Sequence, residues 1–348
     1  MNVTKSIKTT ITYILRVLTL LFAVSVIAFT LVKLSPVDPI QQYILSTGAV
    51  SPEQREELEE YWGIDEPPVK QFINWFSALL HGDMGTSLLY RRPVLDLIRE
   101  KFLNTLALMI CAWVFSGIIG FSLGCAMGVS KDKLCDRILK RICLFLCSVP
   151  TFWLGLVLLL IFSVWLGLFP IGFSSPIGMM NSDVSIWQQI HHLILPALSL
   201  SLMSFANVAL HTRQKLIDVL ESDYVLFAKA RGEGRFTIVK RHGIRNILLP
   251  ALTLQFASFA ELFGGSVLAE NVFSYPGLGS AVSAAGLNSD VPLLLGITLF
   301  SAVFVFTGNL IANILYGVID PKIKEDYEIQ NTSHNSDGHT VSENDNNE

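Results

Sequence analysis

The chain has 348 residues, of which 51% are hydrophobic and only 16% charged, with a formal net charge of −4. About 25% charged residues is usual for a soluble globular domain, so the composition excludes that class. The charges are segregated, which leaves apolar stretches of the roughly 20 residues that a bilayer-crossing helix needs.

Six such stretches occur, at approximately 11–34, 103–129, 138–168, 193–212, 248–270 and 291–318. Lipid offers no partner to backbone N–H and C=O groups, so each stretch is predicted to be a helix. The expected fold class is an all-α polytopic membrane protein with six transmembrane helices. The first stretch has a basic flank (Lys5, Lys8, Arg16). Its apolar run exceeds the roughly 7–15 residues of a signal peptide core, and SPVDP follows instead of a cleavage site, so it reads as a retained helix. Residues 1–34 thus form an N-terminal segment plus first span.

The segment 35–102 is read as external and folded. Ser51-Pro52 resembles a helix cap with a first-turn proline, and Glu53 and Glu56 suit a helix N-terminus. Phe72, Trp75, Phe76, Leu79 and Leu80 then recur at helical spacing up to Gly82. In the second span Gly120, Gly124 and Gly128 share a helix face, and such a ridge permits close backbone approach. Packing within the chain is preferred there to a dimer surface. Pro150 interrupts the third span, and a kink is expected.

Lys and Arg crowd two connections, 130–141 and 213–245, whereas 169–192 and 271–290 have none. By the positive-inside bias, the basic connections and both termini are expected on the cytoplasmic side. The five cysteines (Cys111, Cys125, Cys135, Cys143, Cys147) fall in spans two and three or between them, so packing thiols rather than disulfides are expected. The tail 326–348 is polar, lacks Lys and Arg, and reads as disordered. No strong internal repeat is present.

Glu261 lies near the centre of span five. A charge at that depth costs about 2.5–3.5 kcal/mol, so it should face the bundle interior or a water-filled path. A pathway or gating role and a hydrogen-bonded structural role are both open, and Gly264 and Gly265 beside it would admit another helix or a bend. His81, His191 and His192 could meet a cation, although interfacial packing accounts for them more simply. No GxxxxGK[ST] or HExxH motif occurs, which argues against P-loop ATP use and the familiar zinc-protease layout. No catalytic residue, metal site, cofactor or nucleic-acid partner is expected, and a lipid bilayer is.

The longest basic connection, 213–247, has its own pattern. Residues 216–230 have helical character, with Leu216, Val219, Leu220, Tyr224 and Phe227 as an apolar stripe. Gly232 and Gly234 break it, and a second helical piece leads to Pro250. Ala228, Ala230 and Gly232 are small, which would let a partner approach the bend.

YVLFAKARG followed by VKRHGIRNILLP resembles the cytoplasmic signature of permease subunits of bacterial ABC importers of the peptide/nickel family. Tyr224, Val225, Ala228, Ala230, Gly232, Arg241, His242, Arg245, Asn246 and Pro250 carry the match, and YWGIDEPPVKQFINWFSALLHGDMGTS and ELFGGSVLAENVFSYPGLG are similar to other family segments. The superfamily's Glu-Ala-Ala is replaced by Leu226, Phe227 and Ala228, so that acidic contact is not carried over. The resemblance implies a type I ABC importer permease fold, with a permease core over 103–325 and 213–247 as its ATPase-coupling loop. It also implies a second permease subunit in a heterodimer, two ATPase subunits that do the ATP hydrolysis, and an external substrate-binding protein. The setting would be the bacterial cell membrane, and the cargo di- or oligopeptides or nickel, free or chelated. A secondary carrier or ion channel with Glu261 as its ion site is the alternative. An intramembrane hydrolase lacks a nucleophile–base pair.

Overall fold

The computed structural model describes residues 3–34, 66–176 and 184–319, with side chains over 15–34, 66–176 and 184–312. The helix expected from Ser51 and the polar tail at 326–348 fall outside the described residues.

Helix α1 spans Val3–Leu34, and its Leu15–Leu34 portion is long and apolar enough to cross a membrane. Thr19, Ser25 and Thr30 donate their hydroxyls to carbonyls four residues back, at 2.7–2.8 Å, so these polar groups need no lipid-side partner. Helix α2 (Pro68–Leu80) packs on α1 through an aromatic cluster. Phe22 meets Phe76 with ring centroids 5.8 Å apart, and Phe29 meets Phe72 at 5.3 Å. The periodic Phe72, Trp75 and Phe76 thus have a defined partner, and α2 stops at Gly82 as the sequence indicates.

The remaining elements are α3 (Val94–Val129), α4 (Leu134–Ser148), α5 (Thr151–Leu158) running into a π-helical turn Leu159–Trp165, and α6 (Ile186–Leu220). Then come α7 (Asp223–Ala230), α8 (Arg235–Ile238) with a π-helical stretch Val239–Ile244, α9 (Arg245–Val272), α10 (Leu278–Leu287) and α11 (Val291–Ile319). Among the described residues five helical stretches can cross a membrane by length and composition, and six if α4 and α5 together make one span.

That last span departs from expectation. Pro150 does not kink a continuous helix; it ends one and caps the next. Its ψ of 134° is extended rather than helical, and its carbonyl accepts the N–H groups of Trp153 and Leu154 at 3.1 and 3.2 Å. A proline ring also restricts the residue before it, here Val149, away from the helical region.

The chain forms two compact units. The first contains, of the described residues, 3–34, 66–115, 148–176, 184–203 and 261–306. Its core includes Val94, Ile98, Met109, Leu195, Phe273, Leu278 and Leu293. At its centre the fully buried Glu270 accepts hydrogen bonds from the Thr105 hydroxyl (2.8 Å) and the Ser280 N–H (3.0 Å). The Leu278 N–H donates to Thr105 Oγ1 at 2.8 Å, so α10 enters the fold with two of its open N-terminal donors satisfied by side chains. Asp290 plays a like part at the start of α11, accepting from Leu293 N–H and from Ser87 and Leu89.

The second unit contains, of the described residues, 116–147, 204–260 and 307–319. Here the glycine ridge of α3 lies against α6, as chain-internal packing requires. A Cβ at Gly120 would stand 2.8 Å from Val208 Cβ, one at Gly124 2.6 Å from Thr212 Cβ, and one at Gly128 2.8 Å from Leu216 Cδ2. No side chain fits those gaps without displacing α6. Where apolar burial supplies no drive between helices, this approach brings backbone dispersion contacts within reach.

Candidate functional site

The 213–247 connection folds as a helical hairpin within the second unit. Its first arm is not one helix over 216–230. α6 ends at Leu220, a turn follows at Glu221-Ser222, and α7 restarts at Asp223. The turn rephases the arm, so the expected stripe is split. Leu216 stays buried, but Tyr224 and Phe227 point outward, and Val225 and Ala228 take the inner face. Those two close a small core with Ile238 of α8, against which Val219 and Leu220 pack. Ala228 is small enough to fit this core.

Gly232 forms the bend with φ +83°, a left-handed conformation that glycine adopts without strain, and the space beyond its Cα is open. The return arm begins with α8 and passes through the π-helical turn containing Arg241, His242 and Gly243 into α9. Pro250 sits inside the first turns of α9. Two polar contacts fasten the arms. His242 pairs with Glu233 at 3.2 Å, and Asn246 Nδ2 donates to the Tyr224 hydroxyl at 3.0 Å. Of the motif residues, Tyr224, Val225, Ala228, Gly232, His242 and Asn246 are thus brought into one hairpin, while Ala230, Arg241 and Arg245 are exposed on it.

Three large apolar side chains of the hairpin are exposed. Leu226, Phe227 and Phe236 are 64%, 71% and 80% exposed. Folding alone gives no reason to present three large apolar side chains amid Lys and Arg, and such patches mark contact surfaces.

Several engaged charges escape a reading by composition. Asp136 of α4 receives a bidentate contact from Arg213 of α6, at 2.6 and 2.7 Å. Lys131 pairs with Glu221, and that hydrogen bond holds its ammonium pKa above the usual range. The Arg235 guanidinium donates to the Val129 carbonyl at the end of α3. In the sequence these were positive-inside charges with acidic neighbours. The available signal was an Asp in a basic segment and an Arg at the end of an apolar span.

Glu261 and Gly264 belong to the first unit, on an outward stripe of α9 that continues through Leu268 and Asn271. Gly264 has open space where a side chain would be, whereas Gly265 faces α6, where an added Cβ would stand 3.0 Å from Leu200 Cδ1. Glu261 is therefore not enclosed by its own unit. The deeply buried acid of this helix is Glu270, whose place near the end of the apolar run makes it look the less unusual of the two in the sequence. His81, His191 and His192 each place a ring nitrogen 2.8–2.9 Å from a backbone carbonyl (Ser77, Leu168 and Gly172), the first closing the end of α2 and the other two tying the 168–172 segment to α6.

Residues 120–325 match the family described as the binding-protein-dependent transport system inner membrane component, and residues 7–109 match its N-terminal companion. The oligopeptide transport system permease protein AppB of Bacillus subtilis is 33% identical over 306 residues, covering 88% of this chain and 95% of that protein. The dipeptide transport system permease protein DppB of Escherichia coli K12 is 31% identical over 319 residues, covering 86% and 94%. A solved structure of the MetNI methionine ABC transporter in inward-facing conformations aligns with a TM-score of 0.50 at 15% identity, over 65% of this chain and 97% of its own, a likeness of fold. The chain belongs to the family of binding-protein-dependent transport system inner membrane components, and is a multi-pass permease of the ABC importer kind.

Proposed function

We propose that this permease forms half of the membrane path for di- or oligopeptides and is driven by ATPase subunits that grip its 213–247 hairpin. The observation that carries the proposal is the hairpin's build: a closed internal core and cross-arm polar contacts, with Leu226, Phe227 and Phe236 turned outward. An element so braced moves as a body. Force applied to α7 passes through the arm contacts into α9, the helix that carries Glu261. An ATPase shifts this equilibrium only by contacting the hairpin differently in its ATP-bound and free states.

The hairpin and both termini would lie on the cytoplasmic side, in keeping with the Lys and Arg bias of the connections. Tyr224, Val225, Ala228, Ala230, Gly232, Arg241, His242, Arg245, Asn246 and Pro250 would form the coupling unit. Glu261 and Gly264 would face the path or the second permease, because a carboxylate left open to lipid is costly. Two ATPase subunits, a second permease and an external binding protein would complete the machine. Peptide cargo is favoured over nickel by the oligopeptide and dipeptide transport named for the similar proteins.

The test is to purify the external binding protein from the same cells and determine its cargo by mass spectrometry and metal analysis. A peptide-loaded, metal-free protein is the expected result, and a nickel-loaded one would overturn the cargo assignment.

A further inference from the structure

We infer that Asp136 and Arg213 are positioning residues for coupling, a joint that ties the hairpin to the 130–133 turn so that its motion also drives α3 and α4. The inference rests on the reading of the hairpin as the ATPase-coupling element.

Four contacts make the joint. Arg213 reaches Asp136 through Nε and Nη2, at 2.6 and 2.7 Å, with side chains only 11% and 2% exposed. The second oxygen of Asp136 also accepts the Asp132 N–H at 2.9 Å, which fixes the turn at a residue with φ +62°. Lys131 of the same turn pairs with Glu221, the residue that separates α6 from α7. Arg235, opening α8, donates to the Val129 carbonyl, one of the acceptors left open at a helix C-terminus. Both arms of the hairpin are thus held to one short turn, at the end where the glycine ridge already brings α3 close to α6.

The contacts differ in consequence. Lys131–Glu221 is solvated and readily remade, as surface pairs are. The Arg213–Asp136 pair is buried and bidentate, which admits one relative orientation of α4 and α6. A buried ion pair is weak evidence for stability, because apolar residues of similar volume serve as well. What it supplies here is orientation: losing one partner frees the angle between the hairpin's root and α4 while leaving the apolar packing around it.

The test uses the complete transporter in proteoliposomes with its external binding protein and reads ATP hydrolysed per peptide imported, with radiolabelled alanine di-, tri- and tetrapeptides as probe. Asp136→Asn should leave the amount of assembled complex unchanged and raise that ratio about tenfold, within the range of ordinary coupling energies. The exchanged pair D136R/R213D should return it to within about twofold of wild type, because the same fork is rebuilt from opposite sides. If Asp136→Asn fails to accumulate, Arg213→Lys carries the test: it keeps the charge but loses the fork, so a raised ratio supports the joint and an unchanged one overturns it. Hydrolysis and uptake falling together at constant ratio would mark a merely structural pair and overturn the inference alone. A wild-type complex without ATP-driven uptake would overturn the coupling reading itself.

Discussion

Gly232 is the residue where backbone geometry and proposed function meet. Its φ of +83° costs a β-branched side chain roughly 1–2 kcal/mol, while the open space around it means nothing clashes inside the chain. Gly232→Val should therefore reach the membrane in normal amount yet lose at least about tenfold in uptake, as expected when a coupling term of about 1–3 kcal/mol is removed. Immunoblotting of membranes beside an uptake assay checks it, and normal uptake would remove the bend from the coupling unit. Glu270 offers a contrasting case, structural by every contact it makes. Glu270→Ala strands the Ser280 N–H and the Thr105 hydroxyl in a fully buried site and should cost about 3 kcal/mol, with Glu270→Gln milder because an acceptor oxygen remains. Thermal unfolding of the purified protein in detergent should rank wild type, Gln and Ala in that order. Single residues were also where the sequence was least legible. Asp136, Arg213 and Glu270 do not stand out by position, and a pattern along one chain does not reveal a partner 77 or 165 positions away.

At the scale of elements, close approach and local breaks decide the outcome. The ridge of Gly120, Gly124 and Gly128 was legible because a four-residue repeat fixes a helix face, and the structure adds that α6 is what it meets. Gly124→Leu should force α3 and α6 apart, destabilising the protein by about 1–3 kcal/mol as overpacked sites do. A lowered unfolding temperature measured by the same method checks it. The hairpin was legible as helix, glycine bend and helix, but the phase of its first arm was not. The Glu221-Ser222 turn resets the helical register, which turns Phe227 outward and Val225 inward. Pro150 is a like case, since its extended ψ ends a helix that hydropathy treats as continuous. Both differences come from averaging over windows longer than the break. The corrected phase sharpens the docking face: Leu226→Asp and Phe227→Asp should abolish co-purification of the ATPase subunits without reducing insertion, whereas Val225→Asp should destabilise the hairpin itself.

For the whole molecule, membrane spans were the most legible feature, because about 20 apolar residues in lipid leave the backbone only a helix. The family followed from the 224–250 signature, most of which the structure folds into one hairpin, together with similar segments elsewhere in the chain. Substrate was the least legible property, because no described side-chain cluster announces it and the proposed selecting protein is another chain. The central claim is that ATPases act through this hairpin to drive uptake, and the alternative carrier would use an ion gradient with Glu261 as its site. The direct measurement is peptide uptake into proteoliposomes containing both permeases and both ATPase subunits, with the loaded binding protein outside and ionophores collapsing every gradient. The account predicts uptake that requires ATP on the ATPase side of the membrane and persists without gradients. Uptake that follows an imposed ion gradient and ignores ATP would contradict it.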